Sequence, residues 1–182
     1  MISANTHSRL ELKSAATGWR ISGYASVFGL IDDSRDVVAP GAFARSLARR
    51  GARNIRMLFQ HDPGQPIGIW DVAREDARGL YVEGSLAPGS ARAAEIASLL
   101  RAGAIDGLSI GFRALKAKTD RARKTRQLIE IDLWEVSIVT FPMQPLARAR
   151  LDEGTGAAGN LAVRGRIPLA RRMREAARQL LN

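Results

Sequence analysis

Residues 127–141 read QLIEIDLWEVSIVTF. Ile129, Ile131, Leu133, Val139 and Phe141 recur with a period of two, which predicts a strand with one face turned to a core. Glu135 falls on that same face if the register is unbroken. A carboxylate there is costly unless it is paired or changes its pKa. An imidazole would serve as its partner, and so would an arginine. A β-bulge near Trp134 would instead swing Glu135 out to solvent. Upstream, residues 107–115, GLSIGFRAL, read as another strand, and KAKTDRARKTR between the two reads as a basic loop. Pro142 and Pro145 close the sheet region.

Working outward, residues 9–14 (RLELKS) and 19–28 (WRISGYASVF) alternate as strands do, and the stretch after them, GLIDDSRDVVAPG, is rich in turn formers. A short helix follows Pro40-Gly41, with Phe43 and Leu47 four residues apart on one face. Residues 55–61, IRMLFQH, read as a strand stopped by Asp62-Pro63-Gly64. Residues 66–74 and 79–87 read as a hairpin around EDAR. The clearest helix begins at Ser90, a suitable N-cap. It repeats Ala93, Ile96, Leu99 and Leu100 at helical spacing and stops at Gly103. After about residue 150 the composition changes. DEGTGAAGN reads as a flexible linker, and LARRMREAARQLLN as a basic amphipathic helix with Leu169, Met173, Ala176 and Leu180 on one face. The chain thus divides into a β-dominated domain over residues 1–150 and a tail over 151–182. A closed or nearly closed barrel is the architecture expected of so many strands and so few helices.

The 182 residues hold no cysteine, which excludes a thiolate nucleophile, a disulfide framework and a cysteine zinc site. The N-terminal MISANTHSRLELKS has no apolar core of signal-peptide length, and no stretch approaches the roughly 18 apolar residues of a membrane span. The expectation is a cytosolic protein with no membrane partner. The formal charge of +10 implies acidic partners, such as nucleic acid or an acidic protein surface. Aromatic residues make up only 5% of the chain and sit mostly in apolar runs, which weakens a single-strand nucleic-acid platform.

Few residues are candidates for chemistry. His7 and His61 are the only histidines, and His7 lies near the terminus. His61 ends an apolar stripe of Ile55, Met57 and Phe59, consistent with a satisfied edge histidine or with a base held at a rim. Ser109 sits between Gly107 and Gly111, on the face opposite Leu108, Ile110 and Phe112. The glycines would clear space for a substrate backbone, or the serine is simply a small outward residue. No helix follows, so this is not the nucleophile elbow of the α/β-hydrolases. Asp32, Asp33 and Asp36 read as turn formers, with a hard-cation site as the alternative. Asp106 reads as a turn residue, and Asp62, next to His61 in the chain, points away from it.

Four segments carry a resemblance: 23–46 (GYASVFGLIDDSRDVVAPGAFARS), 57–70 (MLFQHDPGQPIGIW), 99–112 (LLRAGAIDGLSIGF) and 134–142 (WEVSIVTFP). In this order they resemble the prohead proteases of tailed phages and phage-derived gene transfer agents, over roughly residues 20–147. The resemblance implies a β-barrel ringed by a few helices, similar to that of the herpesvirus maturation proteases. It implies a serine endopeptidase with Ser109 as nucleophile, His61 as base and Glu135 as third member, and no metal or cofactor. The implied substrates are the major capsid protein or its scaffold segment, and the chain itself, inside assembling proheads in the cytoplasm of a bacterial host. The linker at 152–160 is an accessible place for self-cleavage, and the tail helix would dock the protease to the shell. A homo-oligomer is possible within this reading, and nucleic acid would bind only non-specifically. The family commonly reads F-P-A-N-P after its last strand, where this chain has Phe141-Pro142-Met143-Gln144-Pro145. An inactive scaffolding protein of the same fold and a basic nucleic-acid-binding module are the alternative functions.

Overall fold

The computed structural model describes residues 18–152. His7, the strand expected at 9–14 and all but the first two residues of the expected tail lie outside the described residues. The elements run β1 (Arg20–Val27), β2 (Asp36–Val38), α1 (Ala44–Arg50), a 3-10 turn (Ala52–Asn54), β3 (Arg56–Phe59), β4 (Asp62–Glu75), β5 (Gly79–Leu86), α2 (Ala91–Ala102), β6 (Gly107–Asp120), β7 (Thr125–Val139) and β8 (Ala149–Asp152). The strand-dominated expectation holds, with only two α-helices among the described residues. Neither is long and apolar enough to cross a membrane.

All eight strands belong to one sheet. β7 is its longest member. It pairs antiparallel with β6 along one edge and parallel with β2 and β3 along the other. From β3 the sheet continues through β4, β5 and β1 to β8. The sheet curls until its two ends meet. Gly107 of β6 bridges Arg148, Leu108 N–H donates to Ala147 O at 2.9 Å, and Ala149 N–H donates to Asp106 O at 2.7 Å. Gly23 of β1 permits this seam, since a Cβ there would lie 2.1 Å from the Arg148 carbonyl oxygen.

The enclosed core holds Trp70, Phe43, Ile21, Met57, Leu80 and Leu108, all essentially fully buried. Each contributes roughly 1.5–3 kcal/mol relative to exposure. Trp70 Nε1–H donates to Val136 O at 3.3 Å, so the one polar atom of this side chain is satisfied in the interior. α2 forms as its sequence dictates. Ser90 Oγ accepts from Ala93 N–H at 3.3 Å, and Gly103 adopts the left-handed conformation that ends the helix.

Four local expectations need correction. The basic segment at 116–126 is largely paired strand rather than loop: β6 and β7 stay in register out to Asp120↔Thr125. Its side chains beyond Ala114 are mostly exposed on both faces, so no apolar alternation marks it as strand. The turn-rich stretch after β1 contains β2, short enough to escape a periodicity reading. β3 stops at Phe59, and the chain reverses there before Asp62-Pro63-Gly64 is reached. Phe141, expected on the core face, is 88% exposed.

Candidate active site

The phase error at Phe141 has a structural cause. Gly111 pairs with Glu135, but the next residue, Phe112, pairs with Leu133. Trp134 is therefore an extra residue in β7, a bulge. Before it, Ile131 and Leu133 face the core; after it, Val136 and Ile138 do. Glu135 consequently leaves the apolar face without going to solvent. It lies on the opposite face together with Ser137, against Ser109 and Gly111 of β6.

The bulge is anchored by α1. Leu133 N–H donates to Ser46 Oγ at 2.9 Å. The buried Asp132 carboxylate accepts from Trp134 Nε1–H at 2.9 Å, from Arg50 at 3.0 and 3.1 Å, and from Arg49. The Trp134 hydrogen bond first, then Arg50 and Arg49, hold the Asp132 carboxyl down at about 2 against its desolvation. Trp134 itself is half-exposed, its indole turned back onto Asp132.

His61 reaches Glu135 from a strained turn. Phe59 pairs with Asp62, leaving Gln60 and His61 as a two-residue hairpin loop with φ of 56° and 59°. Such turns ordinarily carry Asn or Gly, and side chains held in the left-handed region persist only where their surroundings enforce it. Here β7 enforces it. Gln60 N–H donates to Ile138 O at 2.9 Å, and its amide side chain exchanges bonds with Thr140 at 2.7 and 3.3 Å. His61 N–H donates to Ser137 Oγ at 3.2 Å.

A closed network results. His61 Nδ1 lies 2.5 Å from Glu135 Oε1, and Ser137 Oγ–H donates to Glu135 Oε2 at 2.6 Å. Ser137 is fully buried and Glu135 is 9% exposed, while the His61 side chain is 43% exposed. The hydrogen bond to Glu135 foremost, and its charge, raise the His61 pKa, with burial opposing them. The pair's contribution to stability is therefore complete below the ordinary histidine value near 6.5 and fades as pH rises through the folded value.

Ser109 pairs with Ser137 across the β6–β7 ladder and is 4% exposed. Ser109 and His61 line one cleft, with no hydrogen bond between them among the described residues. Such contacts often form only with substrate in place. The three expected site residues thus meet in one place: His61 and Glu135 are bonded, and Ser109 stands one strand away. The glycines beside Ser109 have a different use from the one expected. A Cβ at Gly111 would lie 2.1 Å from Glu135 Oε1, and one at Gly107 would lie 2.6 Å from Val139 O and 2.8 Å from Pro142 Cδ. They make room for the protein's own parts.

Of the acidic cluster, Asp32 Oδ1 caps Asp36 N–H at 2.8 Å, and Asp36 forms a two-pronged pair with Arg126 at 2.8 and 2.6 Å. Asp62 turns onto Gly64 and Gln65, and Asp106 onto Arg148. Gln144 of the divergent Phe141–Pro145 stretch is buried. It accepts from Val27 N–H at 2.7 Å and donates back to Val27 O at 3.1 Å.

With this geometry established, comparison with known proteins places the chain. A sequence profile described as caudovirus prohead serine protease matches residues 6–159. The chain belongs to the caudovirus prohead serine protease family. It is 39% identical over 126 residues to the prohead protease of Enterobacteria phage HK97, covering 66% of this chain and 54% of that protein. It is 33% identical over 124 residues to the prohead protease of Escherichia phage T5, covering 68% and 58%. The matched segment thus spans little more than half the length of either relative. The capsid assembly protease of bacteriophage T4 shares the fold, with a TM-score of 0.58 at 16% identity over 69% of this chain and 84% of that one. Within this chain, sequence reading missed Ser137, Gln60 and the Asp132 anchor. Ser137 was detectable, because it stands two residues from Glu135 and shares its face in any extended register.

Proposed function

We propose that the chain is a serine endopeptidase that cleaves capsid or scaffold protein, and itself, during prohead maturation in the bacterial cytoplasm. The observation that carries this reading is the His61–Glu135–Ser137 network beside a buried serine at a cleft. Ser109 Oγ attacks the scissile carbonyl while His61 Nε2 takes its proton, and the imidazolium then returns that proton to the leaving amine. Glu135 stabilises the imidazolium through Nδ1 and fixes which ring nitrogen faces Ser109. Ser137 holds both the second carboxylate oxygen and the His61 backbone, so carboxylate and ring keep one relative orientation. No metal or cofactor enters this scheme.

The reading is tested by co-expressing the full chain, or its Ser109→Ala variant, with a phage major capsid protein that carries its scaffold segment and weighing both proteins. Loss of a terminal segment from the capsid protein with the wild type alone is the expected result. Identical masses would favour a scaffolding role for the same fold. A C-terminus of the protease that stays intact would remove self-cleavage in the tail from the proposal.

The base must be neutral to accept a proton, and the Glu135 bond raises its pKa. Peptide cleavage is accordingly expected to fall with acid through a midpoint above the ordinary value near 6.5. In Glu135→Gln the midpoint should move down, alongside a lower plateau rate. A pH–rate profile with the same midpoint in both proteins would show that Glu135 does not act on the ring.

A further inference from the structure

The cleft beside Ser109 has a volume of about 310 Å³, room enough for a long side chain. Leu108, Phe112, Leu128 and Met143 supply apolar wall. Four polar groups interrupt it besides the catalytic pair, the exposed Ser34 and Gln144, whose amide is bonded to the Val27 backbone. Asp36 and Arg126 neutralise each other through their paired hydrogen bonds. The remaining two are not balanced. Ser26 Oγ is buried without a hydrogen-bond partner, in a residue only 2% exposed. Asp32 is half-buried and also acts on Arg126, whose hydrogen bonds go to Asp36, so two carboxylates share one guanidinium; burial foremost raises the Asp32 carboxyl pKa. A buried hydroxyl left unpaired is unusual in a folded protein and marks a place where a ligand group fits. A partly desolvated carboxylate that shares its only guanidinium with a second carboxylate is stabilised when another cation arrives.

Resting on the serine-protease reading, we propose that this cleft receives the substrate side chain next to the scissile bond and selects lysine or arginine. The aliphatic stem would lie along the apolar wall, the cationic head would meet Asp32, and Ser26 Oγ would accept a further N–H. Glutamate is disfavoured, because Arg126 is already committed to Asp36.

The test uses the full chain and three diphenyl phosphonates that differ only in the side chain beside phosphorus: lysine, norleucine or glutamate. Each forms a covalent Ser109 adduct that mass spectrometry counts over time. A fluorophosphonate lacking that side chain reports the nucleophile alone. The lysine reagent is expected to label wild type about tenfold faster than norleucine, the scale of one charge-assisted hydrogen bond, with glutamate slowest. Asp32→Asn keeps an acceptor for Asp36 N–H and should bring the lysine-to-norleucine ratio close to one. Ser26→Ala should lower that ratio partway. Equal lysine and norleucine rates in wild type, or glutamate fastest, would overturn the subsite while leaving the nucleophile in place. Failure of the fluorophosphonate to label Ser109 would overturn the serine-enzyme reading, and the subsite with it.

Discussion

Ser109→Ala and His61→Asn are each expected to lower kcat/KM for a capsid-derived peptide by about 10⁴-fold or more, and the double variant is expected to be no worse than the poorer single. In the proposed mechanism nucleophile and base act as one unit. Once the proton acceptor is gone the serine is a poor nucleophile, and once the hydroxyl is gone the imidazole has nothing to deprotonate. Asparagine replaces His61 because the position has φ of 59°, a region that asparagine tolerates and alanine does not. A loss of rate then reports the ring rather than a broken turn. Ser109→Ala removes one oxygen from a 4% exposed site on a strand paired with β7 through Ser109↔Ser137, so its thermal midpoint should stay within a few degrees of wild type. Steady-state kinetics on the three variants, with circular dichroism melts alongside, give the answer. Losses that multiply in the double variant would mean that the two residues act independently, and the triad reading would fail.

The parts of this site were legible in the chain to different degrees, for physical reasons. Ser109, His61 and Glu135 stood out because each breaks a local pattern: a serine between glycines in an apolar strand, a histidine at the end of an apolar stripe, a carboxylate among isoleucines. The helix from Ser90 to Gly103 was readable because cap, periodicity and stop all agree. A bulge near Trp134 was one of the readings open for Glu135, but the chain alone did not choose between it and an unbroken register, and the structure keeps Glu135 buried rather than in solvent. The face it occupies depends on one extra residue at Trp134, and that bulge is held by Ser46, Arg49 and Arg50 from a helix over 80 residues earlier in the chain. No local pattern encodes such a contact. The turn at Gln60–His61 escaped for a similar reason. Its residues are poor left-handed formers, and they are held in place by Ile138 and Ser137 of a strand that pairs only in the folded state and by Thr140 just beyond it. Both features lie at the proposed catalytic centre, where a local conflict is tolerated because tertiary contacts compensate for it.

Gly111→Ala is expected to disable the enzyme while leaving it folded, with kcat/KM reduced on the order of 10²- to 10⁴-fold, the range for losing the group that orients a catalytic histidine. The added methyl would lie 2.1 Å from Glu135 Oε1, 2.7 Å from Cδ and 2.8 Å from Cγ. Something must move, and the clash is with a side chain rather than with backbone. The β6–β7 ladder can therefore survive while Glu135 rotates. It cannot rotate and keep both His61 Nδ1 at 2.5 Å and Ser137 Oγ at 2.6 Å. The substitution should thus act entirely through Glu135, which sets a sharp condition. Gly111→Ala combined with Glu135→Ala should be no slower than Glu135→Ala alone, because the methyl then meets empty space. Two further readouts separate positioning from general damage. The His61 imidazole should titrate at lower pH in Gly111→Ala than in wild type, followed by its ring resonances in NMR, and the melting transition should stay cooperative. If the double variant is much slower than Glu135→Ala, or if Gly111→Ala leaves the titration unmoved while activity falls, the glycine acts on substrate passage instead, and the space it keeps clear belongs to the peptide after all.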